Sequence, residues 1–334
     1  MEGVTKMKKT PPYFVELHPT YKCNLRCIYC NAWLQNNYKY AKNFKCLPRK
    51  DAVSKERWLV IARELCEIGV KEIEITGGGE PLIVPYKTFP LMELIKSYNV
   101  IGKLTTNGTL FDEKKIKKLI EIGWDKITFG IDAPDEKTHD FLKGVKGAFK
   151  KVIKNIQLFN KYKKLMKKEN PLLSLQTVLC TKNYTKILEI VKLAYELQIN
   201  TVILNPIFYK NPTCNKIKLN SSQMEMVKEL LKDVKQLSDQ FHIELLSPIF
   251  ERSSFNPPKN PYFSNLKCYE PWTRAKIDTD GCVGPCRGFI SHENIKQKSF
   301  TEIWYGDLFN AFRLKIKNGS MPNICMNCVH MSSY

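Results

Sequence analysis

The amino-acid sequence predicts an α/β protein organised around a parallel sheet. Runs rich in Ile, Val, Thr and aromatic residues alternate six times with amphipathic stretches between residues 13 and 237. The chain of 334 residues is long enough for a sizeable core and for a second domain. Such a series of βα units folds either as a doubly wound sheet or as a barrel. In a barrel, the chemistry collects on the loops that follow the carboxyl ends of the strands.

Each βα unit begins with a short strand rich in β-branched or aromatic residues. The predicted strands are Tyr13–His18, Lys71–Thr76, Lys103–Thr106, Lys126–Ile131, Leu172–Leu179 and Thr201–Asn205. The predicted helices that follow them are Lys55–Ile68, Thr88–Ser97, Glu113–Ile122, Ala148–Tyr162, Tyr184–Leu197 and Ser222–Leu237. Ser54 and Asp112 are predicted helix N-caps, and Gly69 and Gly123 lie where a helix would end.

The pattern changes after residue 246, so we predict one domain over residues 1–246 and a second unit over residues 247–334. The stretch SPIFERSSFNPPKNPYFSN holds four prolines and little periodicity, which is typical of a linker or a wrapping loop. The remainder holds five of the twelve cysteines. A unit this small usually lacks a core of its own and is stabilised by metal.

Composition narrows the class of protein. The N-terminus has no apolar signal segment and no apolar run is long enough to span a bilayer, so a cytoplasmic protein without a membrane partner is expected. In that compartment, clustered cysteines bind metal or do redox chemistry more often than they form disulfides.

The net charge of +20 comes mostly from dispersed lysines, with only eight arginines. A solvated lysine-rich surface is therefore favoured over a nucleic-acid-binding face, and a monomer is the default.

Three cysteines follow the first predicted strand with the spacing Cys23-x3-Cys27-x2-Cys30. An iron–sulfur cluster of the [4Fe–4S] type ordinarily takes four thiolates, so three would leave one iron open to another ligand. An open coordination position is typical of a catalytic metal centre. The alternatives at this point are a zinc site completed by His18 and unrelated buried thiols.

These residues carry a resemblance to a known family. CNLRCIYC resembles the CxxxCx(aromatic)C signature of the radical S-adenosylmethionine (SAM) enzymes, with Tyr29 in the aromatic position. Further along, ITGGGEPL resembles that family's GGE motif, and LTTNGTL resembles a later strand end. FGIDAPDEKTHDFLKGVKG resembles the stretch after its fourth strand. The resemblance covers roughly residues 13–205 and implies a partial (βα)6 TIM-like barrel with a [4Fe–4S] cluster that binds SAM.

The resemblance also implies which residues bind SAM. They are Tyr29, Gly78, Gly79, Glu80, Asn107 and Asp132. Taken alone, the glycines and Asn107 make ordinary turns, and Asp132 could equally form an Asx-turn or cap a helix before Pro134. Two positions depart from the family pattern: Gly130 replaces a common Ser, and Lys143 replaces a common Arg.

The C-terminal cysteines are spaced Cys268-x17-Cys286, then Cys325-x2-Cys328. Four thiols in such a pattern could hold zinc or an iron–sulfur cluster. The segment resembles the auxiliary-cluster domains called SPASM and Twitch, which implies a small C-terminal domain with one auxiliary [4Fe–4S] cluster. Cys282 could replace one of the four ligands. The remaining cysteines, Cys46, Cys66, Cys180 and Cys214, are predicted to be buried.

The resemblance implies reductive cleavage of SAM to methionine and a 5′-deoxyadenosyl radical, which abstracts hydrogen from a substrate. The expected electron donor is a reductant such as ferredoxin or flavodoxin. Oxidation of a peptide or protein side chain is the favoured activity. The alternatives are dehydrogenation or rearrangement of a small metabolite and modification of RNA. No general base is identified, because Asp278, Asp280 and Arg274 are expected in exposed turn or surface roles.

Overall fold

The computed structural model describes most of the chain. The described residues are 10–30, 53–207, 212–247, 268–286, 289, 291–320 and 325. The predictions for Cys46 and Cys328 lie outside these residues. No helix in the described part is long and apolar enough to cross a membrane.

The described strands form one sheet of nine. They are β1 (Phe14–Leu17), β2 (Glu72–Ile75), β3 (Ile101–Thr106), β4 (Lys126–Gly130), β5 (Leu172–Leu179), β6 (Thr201–Pro206), β7 (Glu244–Leu246), β8 (Arg274–Ile277) and β9 (Val283–Gly284). Their spatial order is β7-β6-β5-β4-β3-β2-β1-β8-β9, and only the β8–β9 pair is antiparallel. The described sheet is open, with β7 and β9 at its edges, as in a partial barrel.

Helices cover one face of this sheet. They are α1 (Lys55–Glu67), α2 (Pro85–Ser97), α3 (Glu113–Glu121), α4 (Glu136–Lys143), α5 (Ala148–Leu165), α6 (Ile187–Glu196), α7 (Pro212–Ile217), α8 (Ser221–Gln240), α9 (Glu270–Thr273), α10 (Phe300–Trp304) and α11 (Asp307–Lys317). All six predicted strands and helices are present, with small shifts at their ends. Ser54 and Asp112 are N-caps as predicted, because each side chain accepts a hydrogen bond from a first-turn N–H.

The strands separate an apolar outer face from a polar inner face. Residues such as Leu17, Ile73 and Phe129 are fully buried against the helices. The alternate positions hold charged and polar side chains that pair across strands, including Lys103 with Glu72 and Thr105 with Glu74. Because successive strand residues point to opposite faces, this second set lines the concave side of the open barrel.

The C-terminal segment extends the same sheet. β8 pairs with β1 in parallel, and α10 packs against α1. Two hydrogen bonds hold α10 against α1, because the backbone N–H groups of Phe300 and Thr301 both donate to the carboxylate of Glu64. The sequence assigned no strand to β7, β8 or β9, because each is short and β8 carries two cationic residues, although Asp280-Gly281 indicated the hairpin turn that joins β8 to β9. The division into two domains at residue 246 stays a prediction. The segment beyond that residue adds β8 and β9 to the same sheet, next to β1.

Candidate active site

Four structures meet at the carboxyl end of the sheet. The cysteine loop (residues 18–30) follows β1, the glycine loop (76–80) follows β2, and the Asn107 loop (106–109) follows β3. The fourth is the C-terminal end of α4. All three loops lie together because neighbouring parallel strands end at the same edge of the sheet.

The glycine loop supports the base of the cysteine loop through close backbone contact. Gly79 N–H donates to Thr20 O at 2.7 Å, and Glu80 N–H donates to Lys22 O at 2.8 Å. A Cβ atom on Gly79 would lie 2.1 Å from Lys22 O, and one on Gly78 would lie 2.7 Å from Thr20 O. Only glycine permits this approach, so the glycines do more than form a tight turn.

Glu80 joins the glycine loop to the Asn107 loop. Its Oε1 accepts hydrogen bonds from Leu82 N–H and from Thr106 Oγ1, and its Oε2 accepts one from Asn107 N–H at 2.7 Å. The side chain is 2% exposed, and burial raises the pKa of Glu80 above its usual value. This pattern leaves one lone pair of Oε2 for a further donor.

Asn107 continues the connection to the cysteine loop. Its side-chain amide donates to Asn24 Oδ1 at 2.9 Å and approaches Cys23 Sγ at 4.0 Å. Asn24 in turn donates to Thr109 Oγ1 at 2.8 Å. Sequence reasoning assigned no role to Asn24 or Thr109, although they lie within the motifs CNLRCIYC and LTTNGTL.

The C-terminal end of α4 holds the other side of the cysteine loop. Arg26 N–H donates to Lys143 O and Ile28 N–H donates to Leu142 O, both at 3.0 Å. These carbonyls belong to the last turn of α4 and lack helical partners, so the loop satisfies them. Gly144 ends the helix with a φ of +66°, and a Cβ there would lie 2.5 Å from Arg26 O.

The half-buried Tyr29 forms a polar group with the buried Asp132 and Lys143 beneath the cysteine loop. Lys143 Nζ lies 2.8 Å from Asp132 Oδ2 and donates to the Tyr29 hydroxyl at 3.0 Å, while that hydroxyl donates to Asp132. Burial alone would raise the pKa of Asp132, but the Lys143 ammonium holds it below its usual range. The helix cap is Asp135, so the alternative of Asp132 as a cap is wrong. A Cβ on Gly130 would lie 3.3 Å from Lys143 Nζ, so glycine leaves room for the ammonium.

The three cysteines of the cysteine loop are not arranged around a single ion. In the part of the chain that the structure describes, no three His, Cys, Asp or Glu side chains are placed to share one metal ion. The His18 ring, which a zinc site would need as a ligand, is hydrogen-bonded to Asp278. Burial raises the pKa of the Cys27 thiol to about 12, so a metal ion bound there would have to displace its proton. Three separated thiols suit a cluster whose irons each need one sulfur ligand.

Comparison with family models identifies the first domain. The model described as the radical SAM superfamily matches residues 17–194, just over half of the chain. The chain belongs to the radical SAM superfamily. A second model, described as an iron–sulfur cluster-binding domain and named SPASM, matches residues 268–329. The protein is therefore a radical SAM enzyme with SAM, a [4Fe–4S] cluster and an auxiliary iron–sulfur domain, as the motifs predicted.

Solved structures share this radical SAM fold across nearly the whole chain. Streptococcus suis SuiB bound to its precursor peptide SuiA has a TM-score of 0.70 and 18% identity, covering 97% of this chain and 71% of that one. SuiB bound to S-adenosylmethionine has a TM-score of 0.69 and 17% identity, covering 97% and 70%. The enzyme anSMEcpe with bound AdoMet and the Cp18Cys peptide has a TM-score of 0.68 and 19% identity, covering 96% and 87%. At these identities, the likeness establishes the fold.

His18 and Asp278 connect the first strand to the C-terminal segment. His18 Nδ1 donates to Asp278 Oδ1 at 2.8 Å, and Asp278 is 2% exposed. Burial alone would lower the pKa of His18, but hydrogen bonds to Asp278 and Glu16 raise it. The predicted surface roles of Asp278 and Arg274 are wrong, because Asp278 is buried and Arg274 pairs with Glu16 on the inner face at 3.0 Å. No spacing in the sequence signals a contact across 260 residues.

The auxiliary thiols that the structure describes lie together. Cys268, Cys286 and Cys325 share one apolar cluster, which we call the auxiliary pocket. Its other members are Trp272, Phe289, Phe312 and Ile316. Cys282 is not part of this pocket; its Sγ accepts a hydrogen bond from Asn294 at 3.5 Å. Cys66, Cys180 and Cys214 are buried, as predicted.

Proposed function

We propose that this radical SAM enzyme oxidises a side chain of a peptide or protein. The observation that carries the proposal is the placement of the C-terminal segment. β8 lies directly beside β1, and the contact between His18 and Asp278 joins the cysteine loop side of the barrel to the segment that holds the auxiliary thiols. This pairing brings the segment that holds the auxiliary thiols to the sheet that holds the cysteine loop, which suits removal of a hydrogen atom followed by removal of an electron.

We assign the first cluster to Cys23, Cys27 and Cys30, and the auxiliary cluster to the three thiols of the auxiliary pocket with Cys328. When bound, the first cluster and SAM supply one-electron reduction and the species that abstracts hydrogen. A [4Fe–4S] cluster that binds SAM needs one iron without a protein ligand. The cysteine loop meets this requirement because it supplies three thiols for four irons.

The other residues of the site orient SAM and exclude water. Backbone groups of Gly78 and Gly79, the free lone pair of Glu80 Oε2 and the Asn107 side chain would contact SAM from the loops after β2 and β3. The Tyr29 backbone would lie beside the adenine. Asp132 is fully buried, so its part is to hold the Tyr29 hydroxyl and Lys143 in place. Fixed, dry surroundings of this kind protect reactive intermediates from side reactions.

The polar inner face favours a polar substrate group. Its cations and carboxylates are already paired, as in Arg274 with Glu16 and Lys103 with Glu72. Such a surface presents hydrogen-bonding groups without a large excess of one charge. SuiB and anSMEcpe, which share the fold, have been solved with peptides. We expect a cytoplasmic monomer that receives its electron from ferredoxin or flavodoxin.

Deuterium transfer tests this function directly. The anaerobically reconstituted enzyme is incubated with SAM, dithionite and peptide libraries in which one residue type at a time is deuterated. We expect deuterium in 5′-deoxyadenosine for one residue type, and a product peptide lighter by two hydrogens. C27A should abolish both signals, whereas C66A, which removes a buried thiol from α1, should retain both.

Other outcomes would redirect the proposal. Label that enters 5′-deoxyadenosine from a deuterated metabolite pool, and from no peptide, would identify the small-metabolite alternative. Binding of RNA that weakens steeply with salt, together with RNA-dependent consumption of SAM, would favour RNA modification. Either result would refute peptide oxidation while leaving the radical SAM assignment in place.

A further inference from the structure

Arg313 on α11 is a buried cation that has no anionic partner in the part of the chain that the structure describes. Its side chain is 5% exposed. Nε donates to Pro271 O at 2.8 Å, and Nη1 donates to Trp304 O at 2.7 Å and to Asn310 Oδ1 at 3.0 Å. All three acceptors are neutral, and Nη2 has no hydrogen-bond partner among the described residues. A buried charge of this kind is costly unless an opposite charge compensates it.

The nearby carboxylate does not provide that compensation. Glu270, at the start of α9, is the acidic residue closest in sequence to Pro271, and it pairs with Arg274 at 3.2 Å. The aromatic rings of Trp304 and Phe309 lie 4.2 Å and 6.0 Å from the guanidinium carbon. Ring contacts offset only part of the cost of burying a cation. Burial lowers the pKa of Arg313 to about 10.

Neighbours of this cation on α11 belong to the auxiliary pocket. Phe312 and Ile316, which flank Arg313 on α11, belong to the pocket and pack with Cys268 and Cys325. Pro271, which accepts the Nε hydrogen bond, is three residues from Cys268. An iron–sulfur cluster held by four thiolates is negatively charged in both of its oxidation states, and it gains one further negative charge on reduction.

We infer that Arg313 is the counter-charge of the auxiliary cluster and raises its reduction potential. The inference rests on the proposed auxiliary cluster. A fixed positive charge in a poorly solvated setting favours the more negative, reduced state, because attraction grows with the cluster charge. When the cluster takes up one electron from a substrate radical, the cluster is reduced and the substrate oxidised by one electron, and the substrate proton passes to solvent. Arg313 would thus make the cluster a better electron acceptor without touching the substrate.

Potentiometric titration tests the inference. The full-length C23A/C27A/C30A variant lacks all three thiols assigned to the first cluster, so its iron signal belongs to the auxiliary cluster. In this background, R313Q should lower the equilibrium constant for one-electron reduction about tenfold, which corresponds to about 59 mV. R313K keeps the charge and should restore most of the loss. R57Q is the matched control, because Arg57 also donates to two backbone carbonyls of the C-terminal segment, those of Ile295 and Lys298.

Each outcome decides a different point. A potential unchanged in R313Q, or lowered equally in R313Q and R313K, would show that Arg313 only ties α9, α10 and α11 together, and the inference would be wrong. A potential lowered equally in R57Q would show that loss of hydrogen bonds to the C-terminal segment, and not loss of the Arg313 charge, lowers the potential. If the auxiliary pocket contained zinc rather than iron, both the inference and the proposed oxidation would fail. If R313Q lost its cluster, R313K would still decide the question. A potential near that of the parent would support the role of the charge, and a lowered potential would show that the shape of the arginine side chain matters instead.

Discussion

The buried ion pair of Asp132 and Lys143 makes a quantitative prediction about stability. Their side chains are 1% and 6% exposed, and the charged atoms lie 2.8 Å apart. With an effective dielectric constant of about 20, the attraction at that distance is about 6 kcal/mol. Burying each ion costs several kcal/mol, so the intact pair contributes little net stability. D132N keeps the shape but leaves a buried ammonium unpaired, and should destabilise the protein by about 3–5 kcal/mol.

Calorimetry of the anaerobically purified protein measures this loss. At roughly 2.1 cal/mol/K per residue, a chain of 334 residues has an unfolding entropy of about 0.7 kcal/mol/K. D132N should therefore lower Tm by about 4–7 °C. The double variant D132N/K143M removes both charges and should recover more than half of the loss. K228M breaks the exposed pair of Lys228 with Glu225 and should change stability by no more than about 0.5 kcal/mol.

Two results would refute this reasoning. A loss below about 1 kcal/mol in D132N would mean that the Lys143 ammonium reaches water without its partner. A double variant as unstable as the single one would mean that packing, and not the unpaired charge, sets the cost.

Three further predictions concern the loops and the pH dependence. G79A should weaken SAM binding at least tenfold in equilibrium dialysis, because its Cβ would lie 2.1 Å from Lys22 O and displace the cysteine loop. D278N should lower peptide oxidation at least tenfold while 5′-deoxyadenosine still forms, because it removes the charge that holds His18 but leaves the contacts of Cys23, Cys27 and Cys30 in place. Burial lowers the pKa of His139 to about 4, so the unfolded state binds more protons below its own pKa of about 6.5. The stability from neutral His139 is complete above pH 6.5 and should fall by roughly 3 kcal/mol towards pH 4 in urea titrations, a slope that H139N should lack.

Different observations would contradict each of these three. Normal SAM affinity in G79A would mean that the glycine loop can move without cost. Equal loss of oxidation and 5′-deoxyadenosine in D278N would place Asp278 in the support of the first cluster. The same pH slope in H139N as in the parent would assign that slope to other groups.

The sequence by itself determined the fold class and the identity of the family. The six βα units follow from local patterns, since β-branched runs, caps such as Asp112 and terminal glycines act within a few residues. The spacing of three cysteines and the GGE motif are local as well, and they indicated an open cluster and SAM. The prediction extended to small details, such as the departures at Gly130 and Lys143.

The tertiary structure alone decided how these pieces support one another. Glu80 joins two loops, Lys143 neutralises Asp132 and Gly79 admits the backbone of Lys22, and none of these contacts has a signature in the chain. The strand β8 and the contact of His18 with Asp278 depend on pairing between distant segments. Such pairing is set by the packing of the whole sheet rather than by the properties of either segment, which is the physical reason that a linear pattern cannot reveal it.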